Sequence, residues 1–148
     1  MKAFTYVNPT NEKDAIAALK AGGIVRPLAG GQDLLARMKD YLDQPDRLVS
    51  VKGALDGRAV ATGDGGLKIG AAMKLVDVAD NAQIARLYPA VANAASMVGS
   101  PQIRHQGTVG GNLNQRPRCW YFRQEEFLCF KKGGNRCFAA DGENQHHS

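Results

Sequence analysis

Apolar residues in the first part of the chain switch between two spacings. Phe4 to Val7 is a short β-prone run closed by Asn8-Pro9, the pattern of a strand. From about Glu12 to Lys20, Ala15, Ile16 and Leu19 recur at helical spacing and predict a helix with one apolar face. Thr10 is its expected cap, with Lys13 where a capping box would carry Glu, and Ala21-Gly22-Gly23 ends it. Ile24 to Leu28 is again strand-like, although Arg26 and Pro27 fall inside it. After the tight turn Ala29-Gly30-Gly31-Gln32, a second helix is expected from about Asp33 to Lys39 or Tyr41. Beyond Pro45, Leu48 to Val51 is a further strand. Short strands alternating with helices predict a small, mostly parallel sheet.

The pattern changes after Gly53. Arg58 to Thr62 and Leu67 to Ala71 flank the turn Gly63-Asp64-Gly65-Gly66, a hairpin-like pair. Leu75 to Ala79 and Ala82 to Leu87 read as short helices, and Pro89 opens another over Ala90 to Met97, broken by Gly99-Ser100-Pro101. Gln102 to Asn112 is polar and glycine-rich, suited to a loop that wraps a ligand. This shift places a subdomain boundary near Gly53, between residues 1–53 and 54–118; the cysteine-containing residues 119–148 form a third segment.

Composition adds limits. The 148 residues are 44% hydrophobic and 22% charged, ordinary for a globular protein. No window nears the ~20 apolar residues of a membrane span, and the N-terminus lacks the form of a secretory signal. The cytoplasm is the expected site, or the periplasm if a partner's signal carries a folded complex there. The formal net charge is +5. Arg116 to Arg123 is densely basic, with Trp120, Tyr121 and Phe122 interleaved, a combination that also suits single-stranded nucleic acid. The three cysteines, Cys119, Cys129 and Cys137, all fall in the last thirty residues. Their odd number argues against a disulfide framework, and their clustering points toward metal or redox chemistry. Their spacing has no CxxC and is not that of a zinc ribbon. By spacing alone they are equally three unrelated thiols.

Two segments have the form of ligand loops. Arg26-Pro27-Leu28-Ala29-Gly30-Gly31-Gln32-Asp33-Leu34 joins a strand to a helix, where paired glycines permit close approach and helix-terminal amides favour a phosphate. It is not a GxGxxG fingerprint, and alone such a segment is more often a plain turn. Gly107-Thr108-Val109-Gly110-Gly111-Asn112-Leu113 again pairs glycines, between a hydroxyl and an amide side chain. Small residues there permit packing against a flat ring or a diphosphate, although alone they are more often a glycine-rich surface loop.

Taken in order, these segments resemble one family. Ala29 to Leu35, with Met38-Lys39 behind, is similar to the AGGTDLL…MK segment of the flavin domain in the xanthine dehydrogenase family of molybdenum hydroxylases. Leu67-Lys68-Ile69-Gly70-Ala71 resembles its LRIGA strand, and Ser100 to Leu113 its IRN…TIGGNL segment. The resemblance implies an α+β fold of the two-subdomain FAD-binding PCMH type (vanillyl-alcohol-oxidase-like), truncated here, with FAD between a small β-α-β subdomain and a second α+β subdomain. Arg26, Pro27, Leu28, Ala29, Gly30, Gly31, Gln32, Asp33 and Leu34 would line the diphosphate, mainly through amides. Thr108, Gly110, Gly111 and Asn112 would form the second wall. Gln32 stands where the family carries Thr or Ser. Asn114 to Arg118 intervene where other members place an acidic flavin contact.

Asn112 to Phe122 resembles the NLLQRxRCxYF segment of a subgroup, the flavin subunits of periplasmic-type aldehyde oxidoreductases, in which an inserted loop holds a [4Fe–4S] cluster. Cys119, Cys129 and Cys137 would then be three ligands, with the fourth absent from this chain. The surrounding cations would offset the cluster's negative charge. A loop without its cluster would be collapsed or poorly ordered beyond about Arg118. The implied function is electron transfer. A molybdenum-cofactor large subunit oxidises an aldehyde or N-heterocycle, a small subunit with [2Fe–2S] centres passes the electrons on, and FAD here delivers them to an external acceptor. The alternative is a truncated, non-catalytic assembly fragment. Nucleic acid and membrane are not expected partners. Asp33 and Asp77 read as a helix N-terminal charge and a local cap, and His105, His146 and His147 carry no evident chemistry.

Overall fold

A computed structural model describes residues 1–142 and 144–146. Three strands form a parallel sheet: β1 (Thr5–Val7), β2 (Val25–Leu28) and β3 (Arg47–Ser50), in the order β1-β3-β2. β3 is central, with Arg47 facing both Thr5 and Val25, and its Leu48, Val49 and Ser50 are buried. Pro27 is tolerated because β2 is an edge strand, where a missing N–H leaves no ladder partner unmatched. The connections are α1 (Glu12–Leu19) and α2 (Leu34–Lys39).

The cap of α1 is Asn11, not Thr10. Asn11 is extended and its Oδ1 accepts from the Asp14 N–H at 2.9 Å, so the hydroxyl one residue earlier has no amide to serve. Of the expected apolar face only Ala15 is buried, while Ile16 stays 43% exposed.

β4 (Ala59–Ala61) and β5 (Leu67–Ile69) form the antiparallel hairpin, with Ala59 opposite Ile69. Helices α3 (Leu75–Ala79), α4 (Ala82–Leu87) and α5 (Pro89–Ser96) follow at the predicted places. Their core joins Met73, Val78, Ile84, Ala92 and Ala95, while a separate core joins Leu34, Met38 and Leu48. Among the described residues no helix is long and apolar enough to cross a membrane.

Residues 102–112, expected as a loop, are mostly helical. α6 (Pro101–Gln106) starts after extended Ser100, whose Oγ accepts from Ile103 N–H, and α7 (Val109–Leu113) starts after extended Thr108. Both carry ordinary start signals, Ser-Pro and a Thr cap, which outweigh the low helix propensity of Gly110 and Gly111.

The last segment is folded rather than loose. α8 (Trp120–Arg123) precedes a tight turn in which Phe130 N–H donates to Arg136 O and Gly134 N–H to Cys129 O. Cys119, Phe122 and Cys129 are buried together, with Tyr121 and Phe138 packed on them. Tyr121, Phe127 and Phe138 have ring centroids 5.1–5.5 Å apart. Aromatic burial therefore supplies the fixed point that a cluster was expected to provide. Of the terminal histidines, His147 lies outside the described residues.

Candidate functional site

The two glycine-rich segments meet backbone to backbone. A Cβ on Gly30 would lie 2.0 Å from the Gln106 carbonyl oxygen and 3.1 Å from Gly107 Cα, so only glycine permits this contact. Gly31 follows with φ +76°, a conformation that favours glycine. Among the described residues, the N–H groups of Gly30, Gly31 and Gln32 donate to no backbone carbonyl or side chain. They form a row of unpaired donors ahead of α2.

The second segment is stitched to the end of β5. Gly110 N–H donates to Ala71 O and Val109 N–H to Met73 O, both at 2.9 Å, and Leu75 N–H donates to Gly107 O at 3.0 Å. A Cβ on Gly110 would lie 3.1 Å from Ala71. Thr108 is 3% exposed, and its Oγ1 accepts from Gly111 N–H at 3.2 Å, which turns the chain into α7. Asn112 Oδ1 accepts from Gln115 Nε2 at 3.3 Å. Nothing in residue composition marked Ala71 and Met73 as supports; their part is played by carbonyls alone.

The expected site residues divide by what their side chains do. Pro27 and Gln32 are exposed, and Ala29, Gly30 and Gly31 are half-buried at the surface of the turn. Leu34 is buried in the core with Met38 and Leu48, and the partly buried Leu28 packs against the same cluster. Arg26 Nε lies 3.1 Å from Asp43, which occupies its guanidinium. Thr108 is a cap inside the wall. Gly110, Gly111 and Asn112 remain near the surface.

Asp33 does more than place a charge at a helix start. It makes no side-chain cap bond. Its carboxylate accepts from Arg123 Nη2 at 2.8 Å, from the Arg116 N–H at 3.2 Å, and from Arg118 Nη1. Arg37 Nε lies 3.1 Å from the same carboxylate without hydrogen-bond alignment. Burial pushes the Asp33 carboxyl up, but the hydrogen bonds from Arg123, Arg116 and Arg118 and the charge of Arg37 outweigh it and hold it below the ordinary 3.8. Arg118 and Arg123, expected to offset thiolate charge, are thus committed to a carboxylate. The dense arginines after Leu113 were the available sign of an acidic partner. Asp77 lies within the first turn of α3, whose cap position is Lys74.

Cys119 and Cys129 are buried and Cys137 is half-buried; all three are free thiols. Among the described residues, no three His, Cys, Asp or Glu side chains form a group that could hold a metal ion. The ligand set expected of the cysteines is not assembled, because Cys119 and Cys129 pack into the aromatic cluster. As arranged, these residues do not fit an iron–sulfur cluster.

Residues 2–140 match the family described as the FAD binding domain in molybdopterin dehydrogenase. The chain is 37% identical over 151 aligned residues to the aldehyde oxidoreductase FAD-binding subunit PaoB of Escherichia coli K12, covering 100% of this chain and 47% of that one. It is 29% identical to the carbon monoxide dehydrogenase medium chain of Hydrogenophaga pseudoflava, covering 94% of this chain and 51% of that one. A solved structure of the Hydrogenophaga pseudoflava carbon monoxide dehydrogenase superposes with TM-score 0.70 and 30% identity, over 74% of this chain and 39% of that chain. The chain thus spans about half the length of these curated relatives. The fold, the paired glycine segments and this match over nearly the whole chain agree: the protein belongs to the family of FAD-binding domains of molybdopterin dehydrogenases.

Proposed function

We propose that this chain holds FAD between the turn at residues 29–33 and the segment 107–112, in a two-subdomain PCMH-type arrangement with walls at residues 1–53 and 54–118. The contact of Gly30 with Gln106 and Gly107 carries the reading, because it sets the two segments side by side. The chain's own groups suit a dinucleotide. The amides of Gly30, Gly31 and Gln32 would donate to the diphosphate, each charge-assisted bond contributing ~1.5–3 kcal/mol. Gly111, open except for Thr108 Oγ1 at 3.0 Å, leaves room for close approach on the second wall. Asn112 offers an amide at its edge. A net charge of +5 favours an anionic ligand.

FAD, when bound, supplies the redox chemistry, and this chain positions it. Within the family the role is electron transfer. Electrons from an aldehyde or N-heterocycle oxidised at a molybdenum subunit would pass through [2Fe–2S] centres of a small subunit to this flavin and on to an external acceptor. Assembly with those partners would take place in the cytoplasm.

Titration of the protein with FAD, followed by flavin fluorescence, tests the reading. Saturable quenching that is lost in Gly31→Val, with helicity unchanged, is the expected result. Absence of binding by the unaltered protein, or undiminished binding by the variant, would overturn it.

A further inference from the structure

Six charged side chains run in an unbroken series from the first sheet to the cysteine segment. Arg26 on β2 meets Asp43, whose other partner is Arg37 Nη1 at 2.9 Å. Arg37 stands 3.1 Å from Asp33, and Asp33 takes Arg118 and Arg123. The series contains four guanidiniums and two carboxylates, all from the described residues. Asp33 is its junction. It directly follows the Gly30-Gly31-Gln32 amides, and its carboxylate receives a backbone bond and two side-chain bonds from residues 116–123. Arg123 also donates from Nε to Pro117 O at 2.9 Å, which closes the turn before α8. That turn leads straight into buried Cys119 and Phe122.

We infer that Asp33 is a positioning residue that latches residues 116–123, and through them the cysteine segment, onto the flavin-binding turn, so that FAD retention and the fold of that segment are coupled. The inference rests on the FAD reading for its second half only. Two arguments carry it. The first is geometric: fixing the Asp33 carboxylate fixes the turn whose amides precede it, and the fixing groups lie more than eighty residues later in the chain. The second is electrostatic. A carboxylate next to a diphosphate would repel it; Arg37, shared with Asp43, offsets part of that charge, and Arg118 and Arg123 add theirs only while residues 116–123 are in place. Coupling of this kind is reciprocal: whatever orders one side favours the other.

Amide hydrogen exchange of the 148-residue protein, with and without FAD, tests the latch. Without FAD, Asp33→Asn and, separately, Arg123→Gln should speed exchange of amides in 119–138 roughly ten- to a hundredfold, the loss expected for charge-assisted bonds, while α5 amides stay unchanged and report an intact fold. The double variant should be loosened by less than the two single effects together, because the Arg123–Asp33 bond is shared, while Asp33 keeps separate bonds to Arg116 and Arg118 and Arg123 keeps its own to Pro117 O. With FAD, the same 119–138 amides should slow in the unaltered protein and fail to slow in Asp33→Asn. Unchanged exchange in both single variants, or additive effects in the double, overturns the latch. FAD binding that leaves 119–138 exchange untouched overturns the coupling. If the unaltered protein binds no FAD, the flavin reading falls, while the FAD-free exchange arm still decides the latch.

Discussion

Replacing Gly30 with Ala is the sharpest test of the meeting between the two glycine-rich segments. The new methyl would sit 2.0 Å from Gln106 O and 2.7 Å from its carbonyl carbon. Ordinary contacts between such atoms are ~3.5 Å or more, so the segments must part by over ~1 Å. The obstacle is backbone on both sides, which cannot rotate away as a side-chain tip can. Overpacking of this kind costs ~1–3 kcal/mol, and for a chain of this length each kcal/mol lowers Tm by roughly 2–4 °C. A drop of roughly 4–12 °C is expected from the upper part of that range. FAD affinity should fall at least ~tenfold, the equivalent of one charge-assisted bond to the diphosphate. Gly63→Ala is the control, since nothing lies within 4 Å of a Cβ there, and it should leave both values near those of the unaltered protein. Thermal melts and flavin fluorescence titrations on the three proteins decide the matter. Gly30→Ala melting and binding like the control would refute the reasoning.

Thr108→Ala removes a buried cap and should cost ~0.5–2 kcal/mol in urea unfolding, with Thr108→Ser recovering most of it. Because the Asp33 carboxyl is lower in the folded than in the unfolded chain, its stabilising contribution is present above the unfolded value near 3.8 and is lost as pH falls through the lower folded value. Unfolding free energies from pH 5 downward should therefore show a decline in the unaltered protein that is shallower in Asp33→Asn; parallel curves would contradict the assignment. If aromatic packing holds the last segment, Phe122→Ala should lose ~3–5 kcal/mol from the cooperative unfolding of that region, whereas Cys137→Ala, half-buried, should melt almost as the unaltered protein does.

Much of the architecture could be read along the chain because its causes are local. Gly22-Gly23, Pro45 and Pro89 punctuate segments whose apolar spacing names them, and the parallel sheet, the hairpin and the helices from Leu75 to Ser96 lie where that spacing puts them. The order of glycine-rich segments also sufficed to indicate the family. The same local reading failed at residues 102–112, where glycine content suggested a loop but Ser100 and Thr108 each accept an amide hydrogen bond and start a helix. Capping is a matter of one hydrogen bond at one residue, and average composition hides it.

The working arrangement of the site belongs to tertiary structure. No local pattern shows that Gly30 must be glycine because of Gln106, since the clash is with a carbonyl more than seventy residues away. Asp33 read as a helix-terminal charge because only its neighbours in sequence were visible, whereas its partners Arg116, Arg118 and Arg123 arrive when residues 116–123 fold back. The family resemblance likewise implied three cysteine ligands, while packing placed two of them among aromatic rings. Periodicity acts over a few residues, so the sequence alone determined the elements up to Ser96 and the family. Ion pairs, backbone contacts and ligand sets depend on distances across the fold, so only the folded chain decided which residues meet.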